Sequence, residues 1–195
     1  MRLLPAVFAL AFSGMAWGQA GELWFNYGHS FLSNNGIGTF NAFGGTENDV
    51  KLDDGYRFSF RFNFNIGDHL GGEVQYAYNH TELDQQGVKT GMHFHQPGFS
   101  VLYHLTSDKS RVRPFGVGGI VFNNFVPPGG SINYGGQNKV GAGFGGGVKV
   151  HVKGIWAVRF DVREYVSAKP DFNVLLKTSG ALWQTEVSGG IGVGF

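Results

Sequence analysis

The chain has 195 residues, a formal net charge of +1, 33 Gly, 19 Phe, 7 Tyr and no Cys. Without cysteine there is no disulfide scaffold and no thiolate chemistry. A near-zero charge with no basic block excludes a nucleic-acid surface, and the length suits one domain.

The first segment stands apart. Arg2 is followed by the apolar run 3–12 and then by small residues through Ala20. This is the pattern of a secretory signal peptide. Ala16 and Gly18 permit cleavage after residue 18, and Gly18 with Ala20 permits it after residue 20. The apolar run is far shorter than the ~20 residues of a spanning helix. No later segment is long and apolar enough to span as one. The expected organisation is a leader over 1–20 and one domain over 21–195.

Past the leader, the clearest stretch runs from Tyr56 to Asn65. Tyr56, Phe58, Phe60, Phe62 and Phe64 alternate with Arg57, Ser59, Arg61, Asn63 and Asn65. A β-strand turns successive side chains to opposite faces, so one face is all rings and the other all polar. The pattern recurs, and eight strands are predicted, over residues 22–31, 56–66, 70–81, 92–105, 112–123, 139–153, 155–166 and 181–195. Most reach the ~9–11 residues that a tilted strand needs to cross hydrocarbon. The connections alternate between long (33–55, 82–91, 124–138, 167–180) and short (67–69, 106–111, 153–154). Short turns at one end and long loops at the other mark a transmembrane β-barrel.

Parity fixes one register. The second and third strands both turn odd residues to the polar face. Paired numbers must therefore sum to an even value, and residues 67–69 form a three-residue turn. Phe62 is then expected opposite Val74, Phe60 opposite Tyr76, and Phe58 opposite Tyr78. Asn63 faces Glu73 on the inner side, and Arg61 faces Gln75.

Later strands repeat the alternation. Val140, Ala142, Phe144, Val148, Val150 and Val152 oppose Gly141, Gly143, Gly145, Gly147, Lys149 and His151. Trp156, Val158, Phe160 and Val162 oppose Ala157, Arg159, Asp161, Arg163 and Tyr165. In the last strand Trp183, Val187, Ile191, Val193 and Phe195 oppose Gln184, Glu186, Ser188, Gly190, Gly192 and Gly194. In the fourth strand Phe94 is out of phase with Phe99, Val101, Tyr103 and Leu105, and a bulge is expected at Pro97-Gly98. The first and fifth strands have mixed parity, so their faces stay open. Rings inside would overfill an eight-stranded interior, which is only just wide enough for side chains. The aromatic face is therefore expected toward lipid.

With these features, ending in Gly190-Ile191-Gly192-Val193-Gly194-Phe195, the chain resembles the small outer-membrane barrels typified by the OmpA transmembrane domain and OmpX. The resemblance covers everything after the leader. It implies an all-β, eight-stranded, antiparallel up-and-down barrel in the bacterial outer membrane, with both termini periplasmic. It also implies that Ile191, Val193 and Phe195 form the signal read by the barrel-assembly machinery. Outer-membrane lipid and lipopolysaccharide are the surrounding partners. Unlike full-length OmpA, the sequence stops at Phe195, so no peptidoglycan-binding domain is expected after the barrel.

The inward ionisable set is Arg57, Arg61, Glu73, Lys149, Arg159, Asp161, Arg163 and Glu186. Mixed signs in a narrow lumen favour mutual pairing over a conduction path, because unpaired buried charge is costly. The barrels it resembles fill their interiors in the same way. His93 and His95 share a strand face, but no carboxylate or Cys completes a metal motif. No metal or cofactor is therefore expected. Outer-membrane lipid A deacylases carry a His-x-Ser motif, and no His here is followed by Ser two positions on. Outer-membrane palmitoyltransferases begin with an amphipathic helix, whereas Glu22-Leu23-Trp24-Phe25 enters a strand directly. The expected function is non-enzymatic, structural or surface-interacting through the loops. A narrow solute pore and a lipid-modifying enzyme are the alternatives. The loops 33–54 and 124–138 are rich in Gly and Asn, which predicts flexible surface and names no ligand.

Overall fold

The computed structural model describes residues 21–39, 50–129, 137–172 and 176–195. The expected leader lies outside the described residues, as do 40–49, 130–136 and 173–175. Eight long antiparallel strands close into a ring: β1 (Gly21–Ser33), β4 (Gly55–Asn65), β5 (Leu70–Gln85), β6 (Val88–His104), β7 (Val112–Val126), β8 (Gln137–Lys153), β9 (Trp156–Ala168) and β11 (Ala181–Gly194). Each pairs with its predecessor and successor in this list, and β11 pairs back onto β1. The result is an up-and-down barrel with no open edge in the ring, as the alternation predicts.

The β4–β5 hairpin has the register that parity requires. Phe62 is opposite Val74, Phe60 opposite Tyr76, Phe58 opposite Tyr78, Asn63 opposite Glu73 and Arg61 opposite Gln75. Ile66 N–H donates to the Leu70 carbonyl at 2.7 Å, which closes the turn over residues 67–69. Gly67 sits there at φ +89°, a conformation that penalises any Cβ. Sidedness follows from the ring: Phe60 is 51% exposed and its neighbour Arg61 is fully buried.

Three expectations are corrected. First, there is no bulge at Pro97-Gly98: β6 keeps one register against β5 from Val88 to Tyr103, and against β7 on both sides of that dipeptide. Phe94 is simply an inward residue, buried beside Met92 and Phe125. It breaks the hydrophobic phase because the lumen is apolar at that height. Second, the connection 82–91 is not a loop. β5 and β6 continue as a protruding hairpin around the two-residue turn Gln86-Gly87, whose φ angles are +52° and +89°. Both are positive, as the hairpin turn that matches strand twist demands.

Third, the connection 33–54 is ordered surface at both ends, where it contains β2 (Gly36–Thr39) and β3 (Val50–Leu52). β3 pairs with the top of β5, β2 pairs with β3, and β10 (Leu176–Lys177) from the last loop pairs with β2. Its Ile37, Val50 and Leu52 are buried. Three apolar residues spaced through a Gly/Asn-rich loop are enough to dock it. The faces left open are now assigned. On β1, Glu22, Trp24, Asn26, Ser30 and Leu32 point in, and on β7, Arg113, Phe115, Val117, Val121, Asn123 and Phe125 do.

Candidate functional site

The lumen is filled in three layers, and its middle layer is ionic. Because β4, β5, β9 and β11 all turn polar residues inward, four guanidinium groups and three carboxylates meet there. Arg61 lies 2.6 Å from Glu186 and 3.1 Å from Asp161. Arg159 lies 2.8 Å from Glu73 and 2.6 Å from Asp161. Arg163 reaches Glu73 at 2.7 Å and Asp161 at 3.0 Å. Arg57 sits 3.1 Å from Glu186 and donates to Asn79 at 3.0 Å, Tyr165 Oη at 3.2 Å and Gln96. All seven charged side chains are buried. Each carboxylate touches at least two guanidiniums, so no single pair can leave without stranding another group.

Neutral polar groups continue the layer toward the loop end. Gln96 donates to Asn123 at 2.7 Å and to Gln184 at 3.0 Å, and Gln184 donates to Asn79 and Ser30 at 2.8 Å each. Asn123 donates to Ser167 at 2.9 Å. Above them the lumen turns apolar. Leu32, Leu83, Met92, Phe94, Phe125 and Leu182 from the barrel wall pack with Ile37, Val50, Leu52 and Phe172 from the loops. Phe125 lies 5.0 Å from Phe94 and meets Phe172 edge-on at 6.2 Å, both between ring centroids. Outside this cap Lys89 pairs with Asp53 at 2.5 Å, and that contact raises its pKa.

Lys149 belongs to a separate layer at the turn end. Its partner is Glu22 at 2.5 Å, a residue whose face parity left open. Glu22 also accepts from the Trp24 indole at 2.9 Å, and Lys149 sits 5.6 Å from the Trp24 ring centroid. Sequence reading therefore collects seven of its eight ionisable residues into one cluster and misses Glu22, Arg113 and Trp24. The signal for Glu22 lay within β1 itself: Leu23, Phe25, Tyr27 and Phe31 share the odd, outward face, and the inward Trp24 and Leu32 blur it.

Three inward glycines receive rings. A Cβ on Gly143 would meet the Tyr165 ring at 2.7 Å, one on Gly147 the Phe115 ring at 2.8 Å, and one on Gly192 the Trp24 ring at 2.5 Å. Of the terminal residues, Ile191 and Phe195 are exposed on the outer wall and Val193 is half-exposed there. His93 and His95 also face out: His93 stacks on Tyr78, and His95 shares a 2.6 Å hydrogen bond with Tyr76 Oη. Among the described residues no group of three or more His, Asp or Glu side chains is arranged to hold a metal ion.

Comparison with known proteins agrees with this architecture. A family model described as an outer membrane protein beta-barrel domain matches residues 4–195. Among solved structures, the chain is similar to Neisserial surface protein A, at 17% identity and TM-score 0.59, covering 90% of this chain and 97% of that one. It is similar to OprG of Pseudomonas aeruginosa at 15% identity and TM-score 0.58, covering 91% and 97%. It is also similar to the N-terminal β-barrel domain of OprF from the same organism, at 14% identity and TM-score 0.54, covering 92% and 100%. No curated protein sequence matches.

Proposed function

The chain belongs to the outer-membrane β-barrel domain family, whose model spans nearly all of it, and from that membership we propose a closed, non-catalytic barrel that serves membrane structure and surface interaction through its loops. It is an integral protein of the bacterial outer membrane. The finer reading puts the short turns and both termini in the periplasm and the capped loop end outside, with residues 1–20 as the export leader. Turn and loop lengths support that placement. Outer-membrane lipid and lipopolysaccharide surround the barrel in this reading, and Ile191, Val193 and Phe195 address the assembly machinery.

The observation that carries the closed state is the stacking of two seals of opposite chemistry. An ion crossing the middle layer must displace guanidinium–carboxylate contacts of 2.6–3.1 Å that are held away from water. Breaking such a buried pair costs ~3–5 kcal/mol. The same ion then meets an apolar cap that offers it no ligands. The test is single-channel conductance of purified barrel in a planar bilayer. Wild type is expected to be silent, and variants replacing Arg57 and Arg61 by Ala are expected to conduct. Steady, large openings of the wild type overturn the closed barrel in favour of a narrow solute pore.

A further inference from the structure

The turn end of the lumen carries a charge imbalance that the central network does not absorb. Arg113 and Lys149 are cross-strand partners on β7 and β8, both inward and buried. Like charges directly opposite each other destabilise a sheet. Glu22 is the carboxylate nearest both, and Lys149 and Trp24 already occupy its Oε2. Its Oε1 lies 3.8 Å from Arg113 Nη1, beyond hydrogen-bond range. Arg113 donates Nη2 to the Asp68 carbonyl at 3.1 Å, and its Nε has no hydrogen-bond partner among the described residues. A buried guanidinium left this way is costly.

Arg113 also lines a cavity of about 230 Å³ at this end, with Asn65, Asp108, Lys109 and His151. That volume is several times the ~30 Å³ a water molecule takes. Lys109 and Asp108 cancel in formal charge, so the lining is left with the single positive charge of Arg113. A guanidinium edge is shaped for an oxyanion, which it binds through two parallel N–H bonds.

We propose that the turn-end mouth is a binding site for a small oxyanion, a phosphate or carboxylate group, held by Arg113 with Lys109 and His151 around it. The site stands whether or not the lumen conducts. Its ligand comes either from solution or from a phospholipid headgroup of the adjoining leaflet.

The test is the thermal unfolding midpoint of the purified barrel in maltoside detergent, titrated at constant ionic strength. The probes are inorganic phosphate, acetate and short-chain phosphatidylglycerol, with chloride as reference. A saturable rise with phosphate or acetate supports a soluble ligand. A rise with phosphatidylglycerol alone supports the same site with the lipid as source. Arg113→Gln should weaken the response roughly tenfold, the loss of one charge-assisted bond. In chloride it should be at least as stable as wild type, since one cation and one carboxylate then remain. A purely structural Arg113 would instead give a less stable variant with an unchanged response. Lys109→Ala, on an exposed turn, gives the same readout without disturbing the lumen and should also weaken the response. Midpoints that move no more than in chloride, or that respond equally in both variants and wild type, overturn the site.

Discussion

Arg61 and Glu186 are 2.6 Å apart although their strands do not touch, because β1 runs between β4 and β11. The contact passes over the inner face of β1 near Asn26 and Gly28, where side chains are short or absent. Gly28 pairs with Arg57 on one side and Ser188 on the other. The ionic layer thus ties the closing seam of the barrel, where the first strand meets the last, as well as obstructing the lumen.

Glu186 is the acceptor whose loss should be felt most. It faces Arg57 at 3.1 Å and Arg61 at 2.6 Å, and it accepts from Tyr165 at 2.8 Å and Ser188 at 2.6 Å. Glu186→Ala takes from Arg57 its one carboxylate partner and leaves Arg61 with Asp161 alone, and should cost ~3–5 kcal/mol in urea unfolding of the detergent-solubilised barrel. Adding Arg61→Met should recover part of that loss. Losses that simply add would show that the two residues are not coupled.

The sequence makes the fold legible wherever one face is apolar and the other polar. That is why the register of β4 and β5 follows from parity alone. It fails where the lumen itself is apolar. Trp24, Phe94, Phe115 and Phe125 all point inward, so β1, β6 and β7 lose their alternation. Phe94 then imitates a bulge. The ionic layer is legible because its strands alternate cleanly. The turn-end layer is not, because its acid, Glu22, lies on a strand whose odd outward row is masked by the inward Trp24 and Leu32. The cap is invisible for another reason: Ile37, Val50, Leu52 and Phe172 come from loops, and only tertiary contact gathers them.

Outward orientation is tested at Phe60, which is 51% exposed on the outer wall. Phe60→Arg should cost ~2–4 kcal/mol if the position lies near the midplane. Spin labels at residues 58, 60, 158 and 160 should report lipid exposure. Labels at 61 and 159 should not, and lipid exposure there would reverse the barrel.

The apolar cap should melt without the barrel. Phe125 links Phe94 of the wall to Phe172 of the loops. Truncating a buried Phe to Ala costs ~3–5 kcal/mol, and here the loss should fall on the docked loop. Phe125→Ala should speed hydrogen exchange at residues 36–39 and 50–52 and leave the heat-modifiable gel band intact. Unchanged exchange in β2 and β3 would show that the cluster does not hold the loop.

The terminal residue separates assembly from stability. Phe195 exchanges two backbone hydrogen bonds with Gly21, at 3.1 and 2.9 Å, and its ring lies 6.3 Å from Phe62. The ring is 66% exposed on the outer wall, so it adds little buried surface. Deleting Phe195 removes those bonds, at a net ~0.5–1.5 kcal/mol each. A barrel refolded in detergent should therefore survive the deletion. As the proposed address for the assembly machinery, Phe195 should matter far more in cells, where inserted, heat-modifiable barrel should fall several-fold. Phe62→Ala is the matched control. It removes the ring partner and leaves the terminus whole, so it should lower in-vitro stability while insertion stays normal. Normal insertion of the deleted chain would rule out the address. Equal insertion defects in both variants would assign the effect to stability instead.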